Sequence, residues 1–188
     1  MTKHSSSRPR FRSLRFEKFE PRELLAGDTY LVNFQFDETG TPVRHLRDVG
    51  SVFGDRGNGF NYGWSSNHTD VSRVRGLDPD ARLDTLVHVH VGQYWEFALP
   101  NGNYEVTVAV GDPANNDGVH TVNVEGVSFF NAVADTNVPQ FATHTVTVSD
   151  GRLTLGVGAS PEKATRLDYI YIVGVPNAAN SPPAAPGA

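Results

Sequence analysis

Tyr62 and Trp64 stand two residues apart at the end of a run, residues 52–64, that also holds Gly54, Gly57, Gly59, Gly63, Asp55, Asn58 and Asn61. On an extended segment residues i and i+2 face the same side, so the two rings point together. Flat aromatic faces pack against the C–H patches of pyranose rings while carboxylates and amides bond the hydroxyls, and this run offers both. The same rings can instead plug the end of a core; Phe60 is assigned to that role, and Tyr62 and Trp64 are open to either. A second cluster, Asp112, Asn115, Asn116 and Asp117, lies between Gly111 and Gly118. These groups can donate to and accept from sugar hydroxyls, although Asp, Asn and Gly are also favoured in turns for backbone reasons. Arg82, two residues before Asp84, can fork onto a carboxylate, whether that of a uronic acid or of an internal partner such as Asp55 or Asp78. The expected ligand site joins Tyr62, Trp64, Arg82, Asp84, Asp112, Asn115 and Asn116.

Other chemistries find less support. Asp78, Asp80 and Asp84 are spaced i, i+2 and i+6, but an EF-type calcium loop needs an oxygen ligand where Arg82 stands and glycine where Leu83 stands. Calcium held by a different loop geometry stays open as a candidate cofactor. His88 and His90 share one strand face, a spacing that can chelate zinc, yet spacing names no third ligand and a wetted face is the expected place for both. The chain has no cysteine, which removes disulfides, thiolate metal sites and cysteine nucleophiles. No Ser–His–Asp motif and no marked pair of carboxylates stands out, and Glu96, Glu105 and Glu125 fall on strand patterns where a solvated face is the default. A non-catalytic protein is expected.

The elements that must hold these residues are strands. Segments 30–36, 85–91, 95–99, 104–110, 120–125, 127–130, 144–148, 153–157 and 167–173 are short, β-branched or alternating, and no segment sustains a helical period. Pro100-Asn101-Gly102-Asn103 and Ser149-Asp150-Gly151-Arg152 read as hairpin turns. Eight or nine such strands with glycine-rich turns imply an all-β fold, an antiparallel β-sandwich or jelly roll. Residues 28–175 form the expected domain. Residues 1–27 read as a basic targeting or disordered arm, and 176–188 as a Pro/Ala-rich tail. Residues 1–25 carry seven basic and three acidic side chains; the remainder carries nine basic and eighteen acidic. An acidic body is a poor partner for phosphate backbones, so no nucleic acid is expected. No apolar run reaches the length of a membrane span. Spacing leaves the oligomeric state open.

With these residues in view, the chain resembles malectin-like and galactose-binding-like carbohydrate-binding modules. The likeness lies in Trp95-Glu96-Phe97-Ala98-Leu99-Pro100-Asn101-Gly102-Asn103-Tyr104-Glu105-Val106, in Gly111-Asp112-Pro113 followed by His120-Thr121-Val122-Asn123-Val124-Glu125-Gly126, and in Asp150-Gly151-Arg152-Leu153-Thr154-Leu155 with Asp168-Tyr169-Ile170-Tyr171-Ile172. It implies a galactose-binding-like jelly roll that binds glycans in loops at one end or on one face, without fixing the sugar. Phe19-Glu20-Pro21-Arg22-Glu23-Leu24-Leu25-Ala26 resembles the LEPR-x-LL element of exported planctomycete proteins, with Phe19 in place of the first leucine. That implies an extracellular or cell-surface location.

Overall fold

The computed structural model describes residues 28–36, 39–157 and 163–175. The basic arm (1–27), its LEPR-like element and the tail (176–188) lie outside the described residues. Among the described residues the strands are β1 (Thr29–Phe34), β2 (Leu46–Asp48), β3 (Gly54–Asp55), β4 (Asn61–Trp64), β5 (Ser72–Val74), β6 (Thr85–Val89), β7 (Gln93–Ala98), β8 (Gly102–Val110), β9 (Val119–Val124), β10 (Val127–Ala134), β11 (Gln140–Val148), β12 (Arg152–Val157) and β13 (Thr165–Val175). One 3-10 turn, Thr69–Val71, precedes β5. No helix among these residues is long and apolar enough to cross a membrane.

Two sheets face each other. The first runs β11-β8-β13-β1-β2, with β6 also paired to β13 and β5 to β6; the second runs β10-β9-β12-β7-β4-β3. All pairings are antiparallel except β1 with β2. This is the expected all-β antiparallel sandwich of jelly-roll type. Alternation builds the core: on β8, Tyr104, Val106 and Val108 are buried while Glu105 is exposed. Phe34, Trp95, Phe97, Leu153, Leu155 and Ile170 join them from both sheets with no exposed surface. Each such side chain contributes about 1.5–3 kcal/mol by leaving water.

Both expected hairpins are corrected. The Pro100–Asn101 connection joins β7 in the second sheet to β8 in the first, and residues 149–151 join β11 to β12 across the same gap. Neither Asn101 nor Gly102 takes the positive φ that a two-residue hairpin turn requires. Instead the two arches brace each other: Asn101 Nδ2 donates to Ser149 O (2.9 Å), and its Oδ1 accepts from Gly151 N (2.8 Å). A tight hairpin occurs at Glu125-Gly126, both at positive φ, between β9 and β10.

Strand register sets which loops meet. Val110 at the end of β8 pairs with Leu167 near the start of β13, and Phe34 at the end of β1 pairs with Asp48 at the end of β2. The loops after β8 and before β6 and β11 gather at this end. Asp168 occupies an irregular position there, where the β13–β8 register shifts between Leu167 and Tyr169.

Candidate functional site

Tyr62 and Trp64 do share one side of their strand, and that side is the core. Exposure is 1% for Tyr62 and 0% for Trp64, so neither ring offers a face to a solute. β4 lies between β3 and β7, which brings Tyr62 into stacking with Phe97 (centroids 5.4 Å apart) and places Trp64 against Phe34 and His68. Phe60 packs on Tyr30 and Phe97, as expected of a core residue. The polar ends of the buried rings are satisfied internally. Tyr62 Oη donates to Arg47 O (2.7 Å). Trp64 Nε1 donates to Asp48 Oδ1 (3.0 Å), and Trp95 Nε1 donates to Asp48 Oδ2 (2.7 Å).

Asp112 sits at the same end of the sandwich within a separate network. Arg75 forks onto it, Nε to Oδ1 at 2.8 Å and Nη2 to Oδ2. Ala114 N (2.9 Å) and Asn115 Nδ2 (3.1 Å) add to the same carboxylate. Burial pushes the Asp112 carboxyl up, but these donors together outweigh it and hold the group below the usual carboxylate range. Arg166 completes the cluster with Nε 3.4 Å from Asp112 Oδ2, Nη1 on Asp135 Oδ2 at 2.8 Å, and Nη2 on Asp117. Asn115 and Asn116 remain on the surface. Arg75 and Arg166, the two cations that organise the loop, stand 37 residues before Asp112 and 49 after Asp117, with no local motif to mark them.

Arg82 and Asp84 occupy the neighbouring loop, and their roles differ. Asp84 accepts from the backbone N–H groups of Gly76 (2.8 Å), Leu77 (2.7 Å) and Asp78 (3.0 Å), which folds residues 76–84 back on themselves. Arg75, just before this loop, ties it to Asp112. Arg82 pairs with Asp80 rather than Asp55 or Asp78 and lies over the Tyr169 ring at 5.6 Å. The structure therefore brings together the loops bearing Arg82, Asp84, Asp112, Asn115 and Asn116, and leaves Tyr62 and Trp64 in the core.

Beside these loops the outward face of the first sheet carries an aromatic strip absent from the sequence-derived site. Tyr169 and Tyr171 stack at 4.3 Å between centroids, and Phe141 reaches Tyr169 at 6.2 Å. Phe141, Ala109 and Tyr169 lie in register on β11, β8 and β13, so the small Ala109 lets the flanking rings meet above it. Phe141 is 53% exposed, Tyr171 is half-buried, and Tyr169 is covered. The hydroxyl of Tyr171 accepts from Arg82 Nη1 (2.8 Å) and lies 2.9 Å from His45 Nε2. One row along, the Thr107 and Thr143 hydroxyls are bonded at 2.8 Å. The i, i+2 spacing of Tyr169 and Tyr171 was the available sequence signal.

Among the described residues no group of three or more His, Asp or Glu side chains is arranged to hold a metal ion. Asp84 and Asp112 are filled by N–H donors, and Asp80 by Arg82. Asp168 is different: both oxygens are buried without a hydrogen-bond partner. Burial, then the charges of Asp135, Asp112 and Asp78, push its carboxyl well above the usual range. The folded chain thus holds a proton that the unfolded chain sheds near pH 4. That contribution is complete below the unfolded pKa and is lost as pH rises toward the folded value. Asp168→Asn is expected to raise the melting temperature at pH 8 by roughly 3–8 °C, with the gain shrinking toward pH 4. Melting curves of both chains across that range test it; an equal difference at all pH values contradicts a buried neutral acid.

No known protein family matches the sequence, and no curated protein matches it. Solved structures do share the fold. The Bacillus subtilis protein YxiM superposes with a TM-score of 0.57 at 22% identity, over 79% of this chain and 40% of that one. The plant receptor-like kinase FER gives 0.54 at 14% identity, over 82% of this chain and 44% of that one. Bacteroides uniformis beta-glucuronidase 2 gives 0.53 at 13% identity, over 79% of this chain and 18% of that one. The chain spans less than half the length of each, and at these identities the likeness is one of fold.

Proposed function

We propose that this chain is a non-catalytic glycan-binding β-sandwich of an exported protein, with its site on the outward face of the first sheet. The observation that carries this reading is the strip of Phe141, Tyr169 and Tyr171 edged by Arg82. Phe141 supplies the exposed ring, backed by the stacked pair Tyr169 and Tyr171, and the Tyr171, Thr107 and Thr143 hydroxyls beside it match the polar rim of a sugar. Asn115 and Asn116, exposed in the adjoining loop, are further candidates for hydroxyl contacts. Fold-level likeness to a glucuronidase chain is compatible with a carbohydrate role and says nothing of catalysis here. The extracellular location rests on residues 19–26.

A glycan array probed with calcium and with chelator tests the proposal. Phe141→Ala is expected to weaken the best signal about tenfold, equivalent to ~1.4 kcal/mol. Because Phe141 is half-exposed, its melting temperature should stay within about 3 °C of the parent chain. Binding unaffected by this change moves the site elsewhere. Release of reducing ends from a bound polysaccharide overturns the non-catalytic assignment. A second reading, a structural or adhesive surface module without a sugar site, draws on how completely Asp84, Asp112 and Asp135 are occupied by internal donors. An array blank in both conditions selects it.

A further inference from the structure

Arg82 is the cation seated on the aromatic strip, and its charge is already matched. Its Nε lies 2.9 Å and 3.0 Å from the two Asp80 oxygens, and Nη2 also donates to Asp80. The side-on fork of the guanidinium is therefore occupied. Nη1 donates to the Tyr171 hydroxyl at 2.8 Å, which leaves two N–H groups, one on each terminal nitrogen. The backbone sets this pairing up: Arg82 N donates to Asp80 Oδ1 (3.0 Å) and Asp80 N to Asp78 Oδ1 (2.8 Å), so the turn delivers the carboxylate to the fork. Both side chains remain about one-third exposed, 38% for Arg82 and 31% for Asp80, so a ligand on the strip meets the pair together. The hydrogen bond from Arg82 holds the Asp80 carboxyl below its usual range, which keeps both partners charged at neutral pH.

A neutral sugar asks little of this arrangement. Its hydroxyl and ring oxygens can accept from the two remaining N–H groups while the pair stays intact. A ligand carboxylate competes for the fork that Asp80 fills and lies beside a like charge. Glu105, exposed and in register with Thr145 and Val173 on the same outward face, adds a further negative charge. Repulsion and an occupied partner are how a site rejects a ligand it resembles.

We propose that this face selects neutral glycans over uronic-acid-bearing ones, and that Asp80 enforces the choice by occupying the fork of Arg82. The proposal rests on the glycan-binding reading above. Its test is an array carrying neutral oligosaccharides and galacturonate and glucuronate oligomers, read with the full chain and with Asp80→Asn. Asparagine keeps an oxygen for the Arg82 backbone N–H but removes the charge. The parent chain is expected to bind only neutral spots, with less than a twofold change between about 0.05 and 0.5 M NaCl. Asp80→Asn is expected to gain at least fivefold on the uronate oligomers, and salt should abolish the gain. A parent chain that prefers uronates, or whose binding falls steeply with salt, overturns the proposal while leaving glycan binding standing. So does an Asp80→Asn chain that melts like the parent and gains nothing. An array without any signal removes the glycan-binding reading and this one together.

Discussion

Asp48→Ala is expected to lower the melting temperature by roughly 8–16 °C, from a loss of about 4 kcal/mol. The carboxylate is buried, and it accepts from both indoles, Trp64 and Trp95, and from Gly50 N at 2.8 Å. Removing it strands three donors in a dry interior, and each costs about 1–3 kcal/mol. Asp48→Asn should fall between the two, since its amide keeps one acceptor but turns an N–H toward an indole N–H. These are the chain's only two tryptophans, so their emission reports this site alone. A red shift should accompany the loss of stability as water reaches the rings. As a control, Asp55→Ala touches an exposed carboxylate that caps Gly57 N and should cost less than about 1 kcal/mol. A fall of under 3 °C for Asp48→Ala means that the carboxylate does not hold the indoles.

Arg166→Met is the second large effect, expected to cost about 3–5 kcal/mol. Methionine fills much of the volume but leaves Asp135, whose side chain has no exposed surface, with only Asn137 N (3.2 Å) and the His120 ring (3.6 Å) beside it. Asp112 keeps Arg75 and is spared the full loss. Arg166→Lys should recover only part, because an ammonium cannot reach Asp112, Asp117 and Asp135 with a fixed fork. Removing the exposed partner instead, Asp117→Ala, should change stability by less than about 1 kcal/mol. Thermal or urea unfolding of the three variants checks the ranking. A lysine chain as stable as the parent shows that charge alone, and not the fork, orders the loop.

The sequence was most readable where strands alternate. Glu105 and Thr107 outward with Tyr104, Val106 and Val108 inward follow directly from type and spacing. Asn101-Gly102 misled because it describes a local turn, whereas partner choice is tertiary: β7 pairs edge to edge with β12 and β4 in one sheet, and β8 with β13 and β11 in the other. The shared side of Tyr62 and Trp64 was readable, but not which side it was. That depended on an acceptor sixteen residues earlier, Asp48, whose fit to both indoles leaves no trace in local pattern. The polar cluster at 112–117 was visible as a loop, while its governing cations come from 37 residues before, Arg75, and 49 residues after Asp117, Arg166. On β13 both faces are apolar or aromatic, so periodicity could not choose between Ile170 and Ile172 or Tyr169 and Tyr171 as the core set.

The pairing of β1 with β13 has a mechanical meaning. Thr29 lies opposite Val173, and Gly174 N donates to Asp28 O at 2.8 Å, so the first and last strands meet at the end away from the Asp112 loop. Tension applied through both ends would pull these neighbours apart like a zipper, loading one backbone pair after another instead of all at once. The seam then opens from the Thr29–Val173 end toward the Asn33–Tyr169 end, and the loops around Arg82 and Asp112 at that far end are the last to feel the strain.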